Sequence, residues 1–158
     1  MNDRKVNPMT NVVRSYALTY LHYPVEPLKF PYSNTKAGLG VMCTDGSLYT
    51  YISLNHAIGV DGLDHYKNVY KFTTRVKWGD QIETTDFVQE SYMSNTLYFK
   101  ESVKTLEKII KHDKVLVEFH LDDTAYFEIS LKGADKAVKT MLEMCGEERV
   151  YEHIKRKE

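Results

Sequence analysis

The sequence predicts an α+β domain, mainly an antiparallel β-sandwich, with two amphipathic helices at about 102–111 and 133–145. Three observations carry this prediction. Apolar and polar residues alternate along several runs, as in half-buried strands. Asp-Gly, Gly-Asp and Asp-Asp pairs separate those runs, as turns do. Two later stretches change to the helical period. A chain of 158 residues with 42% hydrophobic and 27% charged content suits one domain with a core of its own. Neither a metal nor a disulfide is needed to complete such a core.

The first 37 residues differ in composition from the rest. All four prolines lie there, and Pro24, Pro27 and Pro31 are interleaved with Tyr16, Tyr20, Tyr23, Phe30 and Tyr32. Proline fixes φ and removes a ladder donor, so this stretch favours extended edge or polyproline-like backbone, after one strand within 12–21. Two readings follow. The segment is a strap that crosses the domain and buries its aromatics, or an arm whose Tyr16, Tyr20, Tyr23 and Tyr32 anchor a partner.

The core domain is read over 38–146. Runs from Leu39 to Thr44 and from Leu48 to Leu54 flank Asp45-Gly46, a strong hairpin signal. In the second run Leu48, Thr50, Ile52 and Leu54 share one face, opposite Tyr49, Tyr51 and Ser53. Residues 55–66 hold two glycines and two aspartates and read as a loop. From Asn68 to Trp78, Tyr70, Phe72, Thr74, Val76 and Trp78 alternate with Val69, Lys71, Thr73, Arg75 and Lys77, which predicts a long half-buried strand ended by Gly79-Asp80. Residues 81–95 are polar and read as a weak strand or loop, and 96–100 as a short strand. Ser102 is placed to cap a helix whose apolar stripe is Val103, Leu106, Ile109 and Ile110. Residues 115–121 and 124–131 form a second hairpin around Asp122-Asp123. The last helix carries Ala134, Ala137, Val138, Met141, Leu142 and Cys145 on one face, with Gly146 placed for a left-handed cap. The charged tail, 147–158, is a short helix or a frayed end.

The search for chemistry yields little. The chain has no phosphate-binding glycine loop, no nucleophile elbow and no zinc-protease motif, so no catalytic residue and no cofactor are assigned. The six histidines are scattered. Asp61, Asp64 and His65 form the densest set of metal-type ligands, and His56 lies in the same loop. Solvated loop chemistry accounts for these letters, so no metal is expected. Cys43 and Cys145 lack CxxC spacing, and each sits in an apolar pattern that suits a buried thiol. A disulfide between them is the alternative.

Net charge is −1, from 21 basic and 22 acidic residues, which gives no electrostatic basis for nucleic-acid binding. Lys71, Arg75 and Lys77 also alternate away from Tyr70, Phe72 and Trp78, so they do not form a stacking platform. No apolar run is long enough for a membrane span or placed as a secretory leader. The expectation is a cytoplasmic protein, or an exported one if a leader has been removed.

Four features, in their order and spacing over about 38–145, resemble the IalB and VasI families of secreted accessory proteins. They are the strand ending at Cys43, the strand from Leu48 to Leu54, the Arg75-to-Trp78 sequence within its strand, and the block from Tyr126 to Cys145. The resemblance implies a two-sheet sandwich with helices at its edge, a Cys43–Cys145 disulfide or packed pair, and an accessory or host-interaction role without a catalytic centre. The chain departs from these families in its Tyr/Pro-rich start and in lacking a leader, and in the cytoplasm the two cysteines would pack as thiols.

The functional expectation is a non-enzymatic binding or accessory protein that contacts a protein partner, for example a phage or mobile-element modulator of a host target. Its contact residues are expected in the N-terminal segment, the 55–66 loop or an exposed strand edge. The alternative is a small-molecule or nucleotide site, with or without enzymatic activity, in a helix–sheet pocket with His56, Asp61, Asp64 and His65. Self-assembly into a homo-oligomer is the third class.

Overall fold

The computed structural model describes residues 1–60, 64–66 and 69–157. Its strands are β1 (Asn2–Val6), β2 (Val13–Leu18), β3 (Ala37–Thr44), β4 (Ser47–Ile58), β5 (Asp64–Tyr66), β6 (Val69–Trp78), β7 (Gln81–Gln89), β8 (Ser94–Phe99), β9 (Lys114–Leu121) and β10 (Asp123–Ser130). Helix α1 (Ser102–Lys111) precedes β9, and α2 (Ala134–Met144) and α3 (Glu148–Arg156) follow β10. The fold is α+β and mainly antiparallel β.

All the strands belong to one sheet, in the order β1-β2-β3-β4-β8-β7-β6-β9-β10, with β5 paired to β6 off this path. The two-sheet arrangement implied by the family resemblance is therefore replaced by a single sheet that curls over itself. Strands β3 and β10 are far apart in this order, yet their Cα atoms approach within 8 Å. Twist accumulated over so many strands leaves curling as the way to bury both halves of one apolar face.

Local chemistry accounts for the turns. Asp45 (φ 48°) and Gly46 (φ 74°) both take left-handed backbone between the paired Thr44 and Ser47, as a two-residue hairpin requires. Asp122, at φ 64°, stands alone between Leu121 and Asp123. Inward-facing residues then meet. Phe72 stacks on Phe87 at 5.2 Å, Phe87 meets Phe99 at 4.6 Å, and Phe119 meets Phe127 at 6.0 Å, with Trp78, Ile52 and Leu97 fully buried around them. On β6 the expected alternation holds: Phe72, Thr74, Val76 and Trp78 are buried, and Thr73 and Arg75 are exposed.

Helix α1 packs on β4 and β8, α2 on β1, β2 and β3, and α3 on α2. Gly146 takes φ 74° beyond α2, the left-handed position expected of it. The carboxy-terminal residues form a true helix, with Ile154 buried and the helix packed on α2.

Several local expectations are corrected. Ser102 is the first helical residue and not the cap, since its Oγ accepts the Thr50 amide at 3.1 Å instead. Thr105 takes the buried place expected of Val103, which is exposed. Residues 81–89 form a full strand, held on both sides by β6 and β8. In the 55–66 segment, β4 continues to Ile58 and residues 64–66 form β5, so the described part of that loop is largely strand. The N-terminal segment is not separate from the core: β1 and β2 are strands of the same sheet. Cys43 and Cys145 do not merely pack. They are joined in a disulfide, with Cα atoms 6.4 Å apart, because the end of α2 lies against the inner face of β3.

Candidate functional site

The site is built around residues 19–36, which leave β2 and cross the opening of the curled sheet. Proline-interrupted backbone satisfies few of its amides internally, as at Tyr32 and Thr35, so several others bond to what they cross. Thr19 donates its amide to the Leu39 carbonyl at 3.0 Å. His22 exchanges two hydrogen bonds with Ala37, at 2.8 and 2.9 Å, and Val25 donates to the Tyr126 carbonyl on β10 at 2.8 Å. The segment thus ties β3 to β10 across the seam.

Its far end is pinned as well. Asn55 Oδ1 accepts the Lys36 amide at 2.8 Å, and Asn55 Nδ2 donates to the Asn34 carbonyl at 2.7 Å. His56 Nε2 lies 3.2 Å from the hydroxyl of the fully buried Thr35. His56 therefore serves the strap. Tyr32 and Leu28 pack against the core, in keeping with a strap.

The remaining apolar side chains of the strap stay in water. Phe30 is 91% exposed, Tyr20 78%, Val25 61% and Tyr23 59%. The Lys36 ammonium lies over the Tyr23 ring, 4.5 Å from its centre. The backbone of the segment is a strap, and its outer side chains face water. Tyr16 is different. It lies in β2, and its hydroxyl donates to Asp3 Oδ2 at 2.6 Å, which raises the phenol pKa and lowers that of the carboxyl.

A cavity of about 190 Å³ opens beside the strap, between α2 and the sheet. Ala17, Leu39, Val41, Ile109 and Val138 form its apolar interior, and Thr19, His22, Ser130 and Lys132 add polar groups. Gly133, at the start of α2, also lines it. A helix–sheet pocket was expected, but with other residues: neither His56, Asp64 nor His65 contributes to this one. His22, Lys132 and Gly133 carry no motif, and only the curled topology brings them together.

The other expected residues lie elsewhere. Asp64 and His65 are exposed on β5, where His65 packs on Tyr70 at 4.9 Å. Asp61 lies outside the described residues. Among the described residues, no group of three or more His, Cys, Asp or Glu is placed to hold a metal ion, and no helix is long and apolar enough to cross a membrane.

No protein-family model matches the chain, and no curated protein or solved structure shows significant similarity to it.

Proposed function

We propose that the chain is a non-enzymatic binding module that takes a protein partner along the strap. The supporting observation is the concentration of exposed Tyr20, Tyr23, Val25 and Phe30 on backbone pinned by hydrogen bonds at both ends. Apolar side chains gathered on a surface mark a contact site. Aromatic side chains make good anchors because they have few rotatable bonds, and a backbone already ordered lowers the entropy lost on binding. The Cys43–Cys145 disulfide favours action in an oxidising compartment, since such bonds persist there and are reduced in the cytosol.

Self-assembly has less support. Strand β1 ends the sheet, but exposed Arg4 and Lys5 guard that edge against pairing with a second copy. The test is partner capture by a Tyr23→Ser, Val25→Ser, Phe30→Ser variant. All three side chains are exposed and none lines the cavity, so the variant should melt with the wild type yet lose its partner. Unchanged capture would remove the proposal.

A further inference from the structure

We propose that the cavity between α2 and the sheet binds a small amphipathic monocarboxylate, tail inside and carboxylate at Lys132 and the first turn of α2. This goes beyond the strap reading and does not depend on it. The size of the cavity bounds the tail. An apolar space of ~150 Å³ accepts benzene, so the 190 Å³ here suits a tail of about six to eight carbons. The interior is apolar enough to favour a hydrocarbon over water.

The polar end selects for an anion. No Asp or Glu occurs among the described residues that line the cavity, whereas Lys132 does, and its ammonium has no carboxylate partner among the described residues. The start of α2 points the same way. No side chain caps this helix at Gly133, and although the Ala134 amide donates to the Leu131 carbonyl at 3.0 Å, the start of the helix presents the positive end of its dipole to an anionic ligand. A Cβ built on Gly133 would meet nothing within 4 Å, which leaves that approach open. Asp135 is the acid in the first turn, and its carboxylate is engaged by Tyr151 and Lys155 at 2.6 and 2.8 Å.

The test is calorimetric titration of the full chain with octanoate, octanol and octyltrimethylammonium. Octanoate should bind at one saturable site, octanol about tenfold more weakly because a charge-assisted contact is lost, and the cation not detectably. Lys132→Glu should weaken octanoate binding at least tenfold, and Ala137→Trp should abolish it by filling the cavity. If Ala137→Trp fails to fold, Lys132→Glu decides alone, since that position is exposed. No saturable octanoate binding, equal binding of the three head groups, or an unaffected Lys132→Glu variant would each overturn the proposal. The strap variant above should still bind octanoate, so the two proposals stand or fall separately.

Discussion

Arg75 on β6 holds Glu118 on β9 through two hydrogen bonds, Nε to Oε1 at 3.1 Å and Nη2 to Oε2 at 2.6 Å. The Glu118 side chain is only 7% exposed, whereas that of Arg75 is 61% exposed, so the guanidinium forms a lid over the carboxylate. His120 Nε2 lies 3.6 Å away on the same strand. The Arg75 hydrogen bond, opposed by burial and helped by Tyr126, holds the Glu118 carboxyl below its ordinary 4.5.

A carboxyl whose folded pKa is depressed adds stability that is complete above its unfolded value. That contribution is lost as pH falls from about 4.5 through the lower folded value. Wild type should therefore melt a few degrees above Glu118→Gln near neutral pH, and the gap should close on acidification below 4.5. A gap that stays constant down to strongly acid pH would show that the charge of Glu118 contributes nothing. The gap is kept modest by the exposure of Arg75, which screens the pair.

The disulfide closes a loop with a sequence separation of 102. Chain entropy for a loop of this length predicts ~4–5 kcal/mol of stabilisation, and measured losses of native bridges run at ~2–5 kcal/mol. Replacing both Cys43 and Cys145 by alanine should lower Tm on the order of 10 °C. Added reductant should lower the wild-type Tm in the same way and leave the double variant unchanged. Equal melting of wild type with and without reductant would mean the bond does not constrain the chain.

How much of this was legible depended on whether the cause was local. Asp45-Gly46 declared its hairpin because the turn demands positive φ at both residues. The inward set Thr50, Ile52 and Leu54 declared its face by alternation. Strand β7 did not, because Phe87 and Gln89 are its only buried residues and its order comes from the strands on either side. Nothing near Glu118 in sequence announces Arg75. The cavity was hidden for the same reason: Thr19, Leu39, Ile109 and Lys132 come from four separate parts of the chain. The strap residues were visible as aromatic and proline-rich, but which of them face water is set by Val25 bonding across the seam and by His56 holding Thr35 at the far end.

Gly40 faces Tyr51 across the β3–β4 pair, and the tyrosine ring lies over the space a Cβ would occupy. Burial, with Tyr98 as a lesser cause, pushes the Tyr51 phenol up to about 12. Gly40→Ala should swing the ring outward, since the colliding atoms are the far end of a rotatable side chain. The phenol pKa should fall back towards 10.0, as followed by NMR titration of the tyrosine ring carbons, at a stability cost of ~1 kcal/mol. An unmoved pKa would mean that β3 yields instead of the ring.

Helix α3 is held to the domain by one buried side chain and a few polar ties. Ile154 is 4% exposed, with Val150 and Tyr151 partly buried beside it. Tyr151 Oη and Lys155 Nζ both donate to Asp135 on α2, and Lys157 Nζ donates to Glu107 on α1 at 2.8 Å. Burial opposes the charge on Asp135, but the Lys155 and Tyr151 hydrogen bonds outweigh it and keep that carboxyl below its ordinary value. Ile154→Ala removes the one fully buried contact and should cost ~2–3 kcal/mol if α3 is part of the cooperative unit. The loss should then appear equally in the exchange of core amides in β9 and of helix amides in 148–156. If only the helix amides speed up while global Tm holds, α3 is a docked tail that opens independently, and the charged carboxy-terminal segment lies outside the folding core.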